Sequence, residues 1–345
     1  MPVTTGLGVY PLMTAPLHDS GTATLEVTDD PIATPEKIIG RSPGRIAWER
    51  LKRDKVALGG GVVVALLILV GILAKPLTLL EGQDPDTFHP NELKIGSIGI
   101  PLPSGSFNGI NAHHWLGLEP LNGRDTFARI VYGAQISLIV AFGAAVLAVI
   151  IGVLLGMAAG YLGGWVDTVI SRSMDVLLSF PQLLFSIALL SVVPMKFLGL
   201  SGSEPRILVL IVVIGFFGWP YIGRIVRGQT LSLREREFVE AARSLGAGQV
   251  HILLKELLPN LVAPILVYTT LMIPTNILNE AALDFLGVGV QPPTSSWGQM
   301  LTTSIDYYTI DLPDLVIPGL AIFITVLAFN LFGDGLRDAL DPKGN

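Results

Sequence analysis

The sequence predicts an all-α, polytopic membrane protein with six transmembrane helices. Three observations predict it. Half of the 345 residues are hydrophobic and only 14% are charged, with a mean hydropathy of +0.61, whereas soluble domains carry about 25% charged residues. Six stretches approach the roughly 20 apolar residues that a helix needs to cross a bilayer. Lys and Arg crowd alternate links between those stretches, as the positive-inside rule requires.

The same composition excludes other classes. The net charge of −6 argues against a nucleic-acid partner. There is no cysteine, so disulfides, thiolate metal sites and cysteine nucleophiles are ruled out. Residues 1–40 have no basic head leading into an apolar run, so they predict a flexible cytoplasmic tail rather than a cleavable signal.

Taken in order, residues 41–56 form an amphipathic cytoplasmic entry segment, with Arg41, Arg45, Arg50, Lys52, Arg53 and Lys55 placing the N-terminus inside. The first span is Ala57–Ala74. An extracytoplasmic loop, 75–132, follows. Residues 133–342 form a core with the other five spans. These are Ile136–Gly160, Val176–Val193 with Pro181 in its first turns, Ile207–Ile222, Leu261–Leu283 interrupted by Pro264 and Pro274, and Leu315–Phe332. Six spans return the C-terminus, with Arg337 and Lys343, to the cytoplasm. The link between the third pair, Asp284 to Pro318, has no Lys or Arg and is predicted outside.

A cytoplasmic loop, 224–259, lies between the fourth and fifth spans. Phe238, Ala241, Ala242 and Leu245 follow i, i+3, i+4, i+7, one face of a helix. Glu237, Glu240 and Arg243 take the other face. Gly246 stands where a helix ends at positive φ. Val250, Leu253, Leu254 and Leu257 repeat the spacing, and Pro259 predicts another break. The loop is therefore expected to be two short helices. Helices this short are marginal alone in water, so each needs a surface for its apolar face. Two readings remain open: the membrane surface or the chain's own spans, or a groove on a soluble partner.

Some chemistry is absent. No Gly-Lys dipeptide exists, hence no phosphate-cradling loop of the usual form, and there is no His-Glu-x-x-His or Gly-x-Ser-x-Gly motif. His89, His113 and His114 have irregular spacing and are expected to sit in a polar loop without a metal. Mid-span ionisable residues, which ion-coupled carriers need, are scarce, and Glu280 near the outer end of the fifth span is the one of note. In that span Thr275, Asn276 and Asn279 are candidates for the translocation pathway or a partner interface, with helix–helix hydrogen bonding as the competing reading. Gly152, Gly156 and Gly160 predict a close helix contact, and Asp125 predicts a helix N-cap. "LDFLGVGVQPPTSSWGQM" cannot be a continuous helix, and Trp297 is expected at the headgroup level.

The stretch "EAARSLGAGQVHILLKELLP" resembles the EAA loop of binding-protein-dependent ABC importer permeases. Glu240, Ala241, Ala242, Gly246, Leu258 and Pro259 fill the positions of that motif. "RSPGRIAWERLKRDKVALGG", "GRDTFARIVYGAQISL", "GYLGGWVDTVISRSMDVLLSFP" and "PGLAIFITVLAFNLFGDGLRDALDP" are similar to the C-type permeases of dipeptide and oligopeptide importers. The chain departs from them at "LGLEPLNGRD", which lacks a Thr-Asp pair. The resemblance implies a type I ABC importer permease fold in the cell membrane and a non-catalytic subunit working by alternating access. It also implies a homologous second permease, two ATPase subunits that bind ATP and Mg, and an extracytoplasmic substrate-binding protein. The motif residues and Leu245 would then couple to an ATPase. The substrate would be a peptide, with nickel complexes, oligosaccharides or, in another class, an ion-coupled solute as alternatives. For the fold, it implies that a short helix follows the fifth span and leads into a loop folded back toward the membrane.

Overall fold

The computed structural model describes residues 43–95, 101–104, 107–194, 196–197 and 199–340. The expected tail, 1–40, and Lys343 lie outside them. Twelve α-helices run along the described chain. Five are long and apolar enough to cross a membrane once α9 and α10 are joined, and a bent pair makes a sixth candidate.

The entry helix α1 (Pro43–Leu51) leads to α2 (Lys55–Ile72). Asp54 starts α2 by accepting the Val56 and Ala57 N–H groups, two of the donors that a helix start leaves unpaired. A short α3 (Ala74–Glu81) and a small hairpin, β1 (Leu93–Ile95) with β2 (Pro101–Pro103), occupy the link that follows.

The second span is longer than expected. Helix α4 covers Thr126–Leu162, 37 residues, about 55 Å at 1.5 Å per residue. It starts inside the loop predicted to reach residue 132. Asp125 is its N-cap, as the sequence suggests, taking the Ala128 N–H at 2.7 Å. Helix α7 (Glu204–Leu233) is also longer than the predicted fourth span. Its extension carries Arg224 and Arg227, which were assigned to a loop. In the helix each meets a carboxylate on α5 (Gly164–Ser179). Arg224 pairs with Asp175 at 2.6 Å, and Arg227 Nη2 reaches Asp167 at 2.7 Å.

Small residues let α4 and α7 meet. A β-carbon on Gly152, Gly156 or Gly160 would stand 2.8 Å from Ile222 Cβ, 2.6 Å from Gly223 O and 2.7 Å from Thr230 Cβ, respectively. The glycine repeat is a backbone-to-backbone seam, the arrangement by which membrane helices gain dispersion energy without a hydrophobic driving force.

The third span is not one helix. It divides into α5 and α6 (Gln182–Ser191), which meet at 78°. Pro181 has no N–H to donate and forces Phe180 into an extended conformation, φ −83° and ψ 133°. Pro264 and Pro274, by contrast, lie within a continuous helix α10 (Leu258–Phe285). After a loop, α11 (Trp297–Ser304) and α12 (Leu312–Leu340) complete the chain. The loop therefore precedes the short helix, the reverse of the expected order. One cluster, with Val64, Ala141, Ile277 and Phe329, ties α2, α4, α10 and α12 together.

Candidate functional site

The predicted coupling region folds at one end of the bundle. Helix α8 (Glu237–Ser244) has Glu237 and Glu240 in its first turn and Arg243 in its last, the charge order that its dipole favours. It stops at Gly246, with φ +83°. Gly246 N–H donates to Arg243 O, and Ala247 N–H to Ala242 O, both at 3.0 Å, the paired bonds of a Schellman cap. A β-carbon at Gly246 would meet nothing within 4 Å. The glycine is therefore needed for its backbone angle and not for space.

The seat of α8 differs from the periodicity. Val239 is 0% exposed and packs with Met157 of α4, Ile222 and Val226 of α7, and Leu261 of α10. Ala242 lies partly buried beside it. Of the predicted apolar face, Phe238, Ala241 and Leu245 point outward, with Leu245 88% exposed. The helix therefore has two apolar sides. Val239 closes the inner one, which the periodicity does not mark, and the spacing marks the outer one. Glu240 is also exposed.

The second half is not a separate short helix ended by Pro259. Residues Gln249–Phe285 form one rod of 37 residues. It opens with α9 (Gln249–His251), passes through a π-helical stretch, Ile252–Leu257, and becomes α10. A proline ring clashes with the carbonyl four residues before it. The wider π winding shifts the Lys255 carbonyl and lets the rod continue past Pro259. Ile252 and Leu257 are buried against the bundle, while Val250, at 68%, and Leu254 are exposed. Leu258 is half-buried and Pro259 exposed.

The two exposed apolar sets, Phe238 with Leu245 and Val250 with Leu254, flank the Gly246–Gly248 turn. They are large side chains at the end of an apolar bundle with no covering element among the described residues. Arg234, at the foot of α8, donates to Gly160 O at 3.0 Å and to Glu235 at 2.8 Å.

The pathway candidates at the other end of the rod separate. Asn276 is buried and donates to Ala141 O at 3.1 Å, stapling α10 to α4. Thr275 is exposed and Asn279 half-buried. Glu280 is fully buried and accepts from the Ser137 hydroxyl at 3.2 Å. Its neighbour Asp284, which the spacing analysis did not single out, organises the next loop. It accepts the Val290 N–H at 2.7 Å and the Ser296 hydroxyl. Gly289 packs against it so closely that a β-carbon would lie 1.7 Å from Asp284 Oδ1. Trp297 is packed inside the protein and does not present its ring to a lipid surface. It is 1% exposed, and its indole N–H donates to Ile130 O at 3.1 Å. Gln299 accepts from Arg129 at 2.6 Å, and Ser295 donates to Arg129 O at 2.8 Å.

The histidines do not act alike. His114 is fully buried, 2.8 Å from Asp125 and 3.2 Å from Glu92. His89 stacks edge-on against it at 4.9 Å. Arg124 forms a buried pair with Glu119 at 2.6 Å. Glu81 accepts the Trp115 N–H at 2.7 Å. Burial, and secondarily the nearby Asp125 carboxylate, push Glu81 up to about 7 against the pull of that N–H bond. Burial also pushes Asp311 up to about 6. Among the described residues no group of three or more His, Asp or Glu side chains is disposed to hold a metal ion.

Residues 152–344 match the family described as binding-protein-dependent transport system inner membrane component, and residues 42–93 match the N-terminal transmembrane domain of oligopeptide transport permease C. The chain is 41% identical over 313 residues to the glutathione transport system permease protein GsiD of Escherichia coli O6:K15:H31, which spans 91% of this chain and 94% of the relative. It is 40% identical over 319 residues to the dipeptide transport system permease protein DppC of Alkalihalophilus pseudofirmus, across 92% of this chain and 96% of the relative. A chain from inward-facing structures of the MetNI methionine ABC transporter shares the fold, with a TM-score of 0.50 at 20% identity, covering 62% of this chain and 97% of that one.

Proposed function

The chain belongs to the family of binding-protein-dependent transport system inner membrane components, and from that premise we propose that it forms half of the pathway of an ATP-driven peptide importer. The observation that carries the reading is α8. Its inner side is fixed to the bundle by Val239, and its outer side leaves Phe238 and Leu245 uncovered. Exposed apolar patches of this kind mark interaction sites. A short amphipathic helix in a groove is a recurring recognition mode. The occupant of the face is a cleft on an ATPase subunit, which binds the ATP and Mg.

The mechanism follows from the connections. Glu240, Ala241, Ala242, Leu245 and Gly246 meet the ATPase. Movement of the ATPases displaces α8 and, through Ile252 and Leu257, the rod that begins at Gln249. Leu258 and Pro259 sit where that rod changes winding. The pathway then opens alternately to each side, and a homologous second permease supplies its other half. The exposed Thr275 and half-buried Asn279 face that pathway or that partner. Asn276, already engaged with Ala141, positions α10. The α8 end is cytoplasmic, with both termini on that side, and an extracytoplasmic binding protein delivers substrate to the end that carries residues 75–125. The GsiD and DppC likenesses support a short peptide as cargo.

The test is reconstituted uptake. The chain is purified with its co-expressed partners, placed in proteoliposomes, and supplied with binding protein, ATP and labelled di- or tripeptide. Uptake that stops when ATP is withheld supports the reading. Uptake driven by an ion gradient alone, or a complex without an ATPase, would sink it. Replacing Thr275 or Asn279 with Leu should lower uptake about tenfold with assembly intact if they border the pathway; an unchanged rate removes them from it.

A further inference from the structure

Helix α1 has no part in that mechanism. Its inner face is settled, since Ala47 and Leu51 are buried with Ala57 and Ala339. Its outer face is not. Trp48 is 53% exposed, and the Lys52 ammonium lies 5.0 Å from the centre of its ring, within the range of a cation–π contact. Arg53 and Lys55 are exposed too.

The charges here do not balance. Lys52, Arg53 and Lys55 are exposed, and the carboxylate between them, Asp54, caps α2. Glu49 accepts from Arg45 at 3.3 Å. Directly after Lys55, α2 exposes Val56, Leu58 and Val62. Chain connectivity therefore sets an exposed indole and a run of cations at the level where the apolar surface begins. Tryptophan settles at that level because its ring is apolar and its N–H is polar.

We propose that the outer face of α1 docks anionic phospholipid headgroups. Charge complementarity selects this occupant. Each cation close to an anionic membrane surface favours binding by about fivefold, and Lys52, Arg53 and Lys55 act together on one short segment. The uncovered ring of Trp48 adds an apolar element suited to the boundary between headgroup and acyl chain. The face therefore gathers anionic lipid around the corner where α1 meets α2 and α12.

The purified complex in nanodiscs tests this. Two lipids are compared at equal mole fraction: brominated phosphatidylglycerol and brominated phosphatidylcholine. The difference in tryptophan emission between the wild type and Trp48→Phe isolates Trp48 from the other four tryptophans. Quenching of Trp48 should be about twofold stronger with the anionic lipid, and the excess should vanish at about 0.5 M salt. It should also vanish in Lys52→Gln/Arg53→Gln, both of which are surface changes. Equal quenching by the two lipids would overturn the proposal, as would an excess that survives the double variant. Quenching that appears only after peripheral proteins are washed off would assign the face to a protein contact and overturn it as well.

Discussion

The two ends of the rod Gln249–Phe285 are built on opposite principles. At the α8 end, apolar side chains are turned outward and few side-chain hydrogen bonds cross between elements. At the Asp284 end, polar side chains are turned inward and almost every one is paired across elements. Ser137, Glu280, Asp284, Ser296, Gln299 and Arg129 link α4, α10 and α11 in one buried set. An unpaired buried polar group costs its desolvation, so such a set has one arrangement that satisfies it and resists small displacements. An exposed apolar face has no internal partner to lose. The first end suits a contact made and remade with another protein, and the second suits a seal.

The comparison predicts separable failures. The largest effect is expected for Leu245→Glu. It places a charge in the proposed contact while leaving the Val239 seat untouched. Binding of the ATPase subunits, measured by co-purification and titration, should weaken by about 100-fold, a hot-spot effect, with no change in the melting temperature of the permease. Normal ATPase binding in this variant would break the assignment of α8. Asp284→Ala should do the reverse. It strands the Val290 N–H and the Ser296 hydroxyl and should cost about 3 kcal/mol of stability, read as a lower melting temperature in detergent, while ATPase binding per folded molecule holds.

Two smaller effects sharpen the contrast. Gly246→Val forces a β-branched residue into positive φ, at about 1–2 kcal/mol. Space is available there, so the cost falls on the turn alone. ATP hydrolysis should persist while uptake falls several-fold, and fully coupled uptake would count against the lever. Glu81→Gln tests the loop beyond the sealed end. A carboxyl raised to about 7 binds more protons folded than unfolded between its ordinary value of 4.5 and that point. Its favourable contribution is therefore present at low pH and lost as pH rises through about 7. The variant stays neutral. It should melt about 2–4 °C higher than the wild type at pH 8 and show no gain below about pH 5. A gain of the same size at both pH values would reject burial of the charge as its cause.

Much of this was legible in the sequence where one local property decides. Apolar length found the membrane-crossing helices, and glycine at every fourth position found the α4–α7 seam. Asp125 and Gly246 were readable as caps because capping is settled by adjacent residues. What escaped depended on a distant partner. The extension of α7 carries Arg224 and Arg227 to Asp175 and Asp167 of another helix. Val239 is buried because α4, α7 and α10 leave a seat for it, and the spacing of Phe238 to Leu245 marks only the outer side. Trp297 has an interfacial composition, yet the Ile130 carbonyl satisfies its N–H inside the core. The π stretch before Pro259 has no sequence signature of its own. A proline there signals a stop, and the π winding, with Ile252 and Leu257 buried against the bundle, carries the helix past it. His114, in a loop of irregular spacing, gave no hint of its pairing with Asp125.

Because the rod is unbroken from Gln249 to Phe285, it behaves as an axle. A twist delivered where Ile252 and Leu257 grip the bundle would travel about 40–50 Å at the helical rise and emerge at Asp284. The clasp around that carboxylate would then feel torque without any intermediate gear.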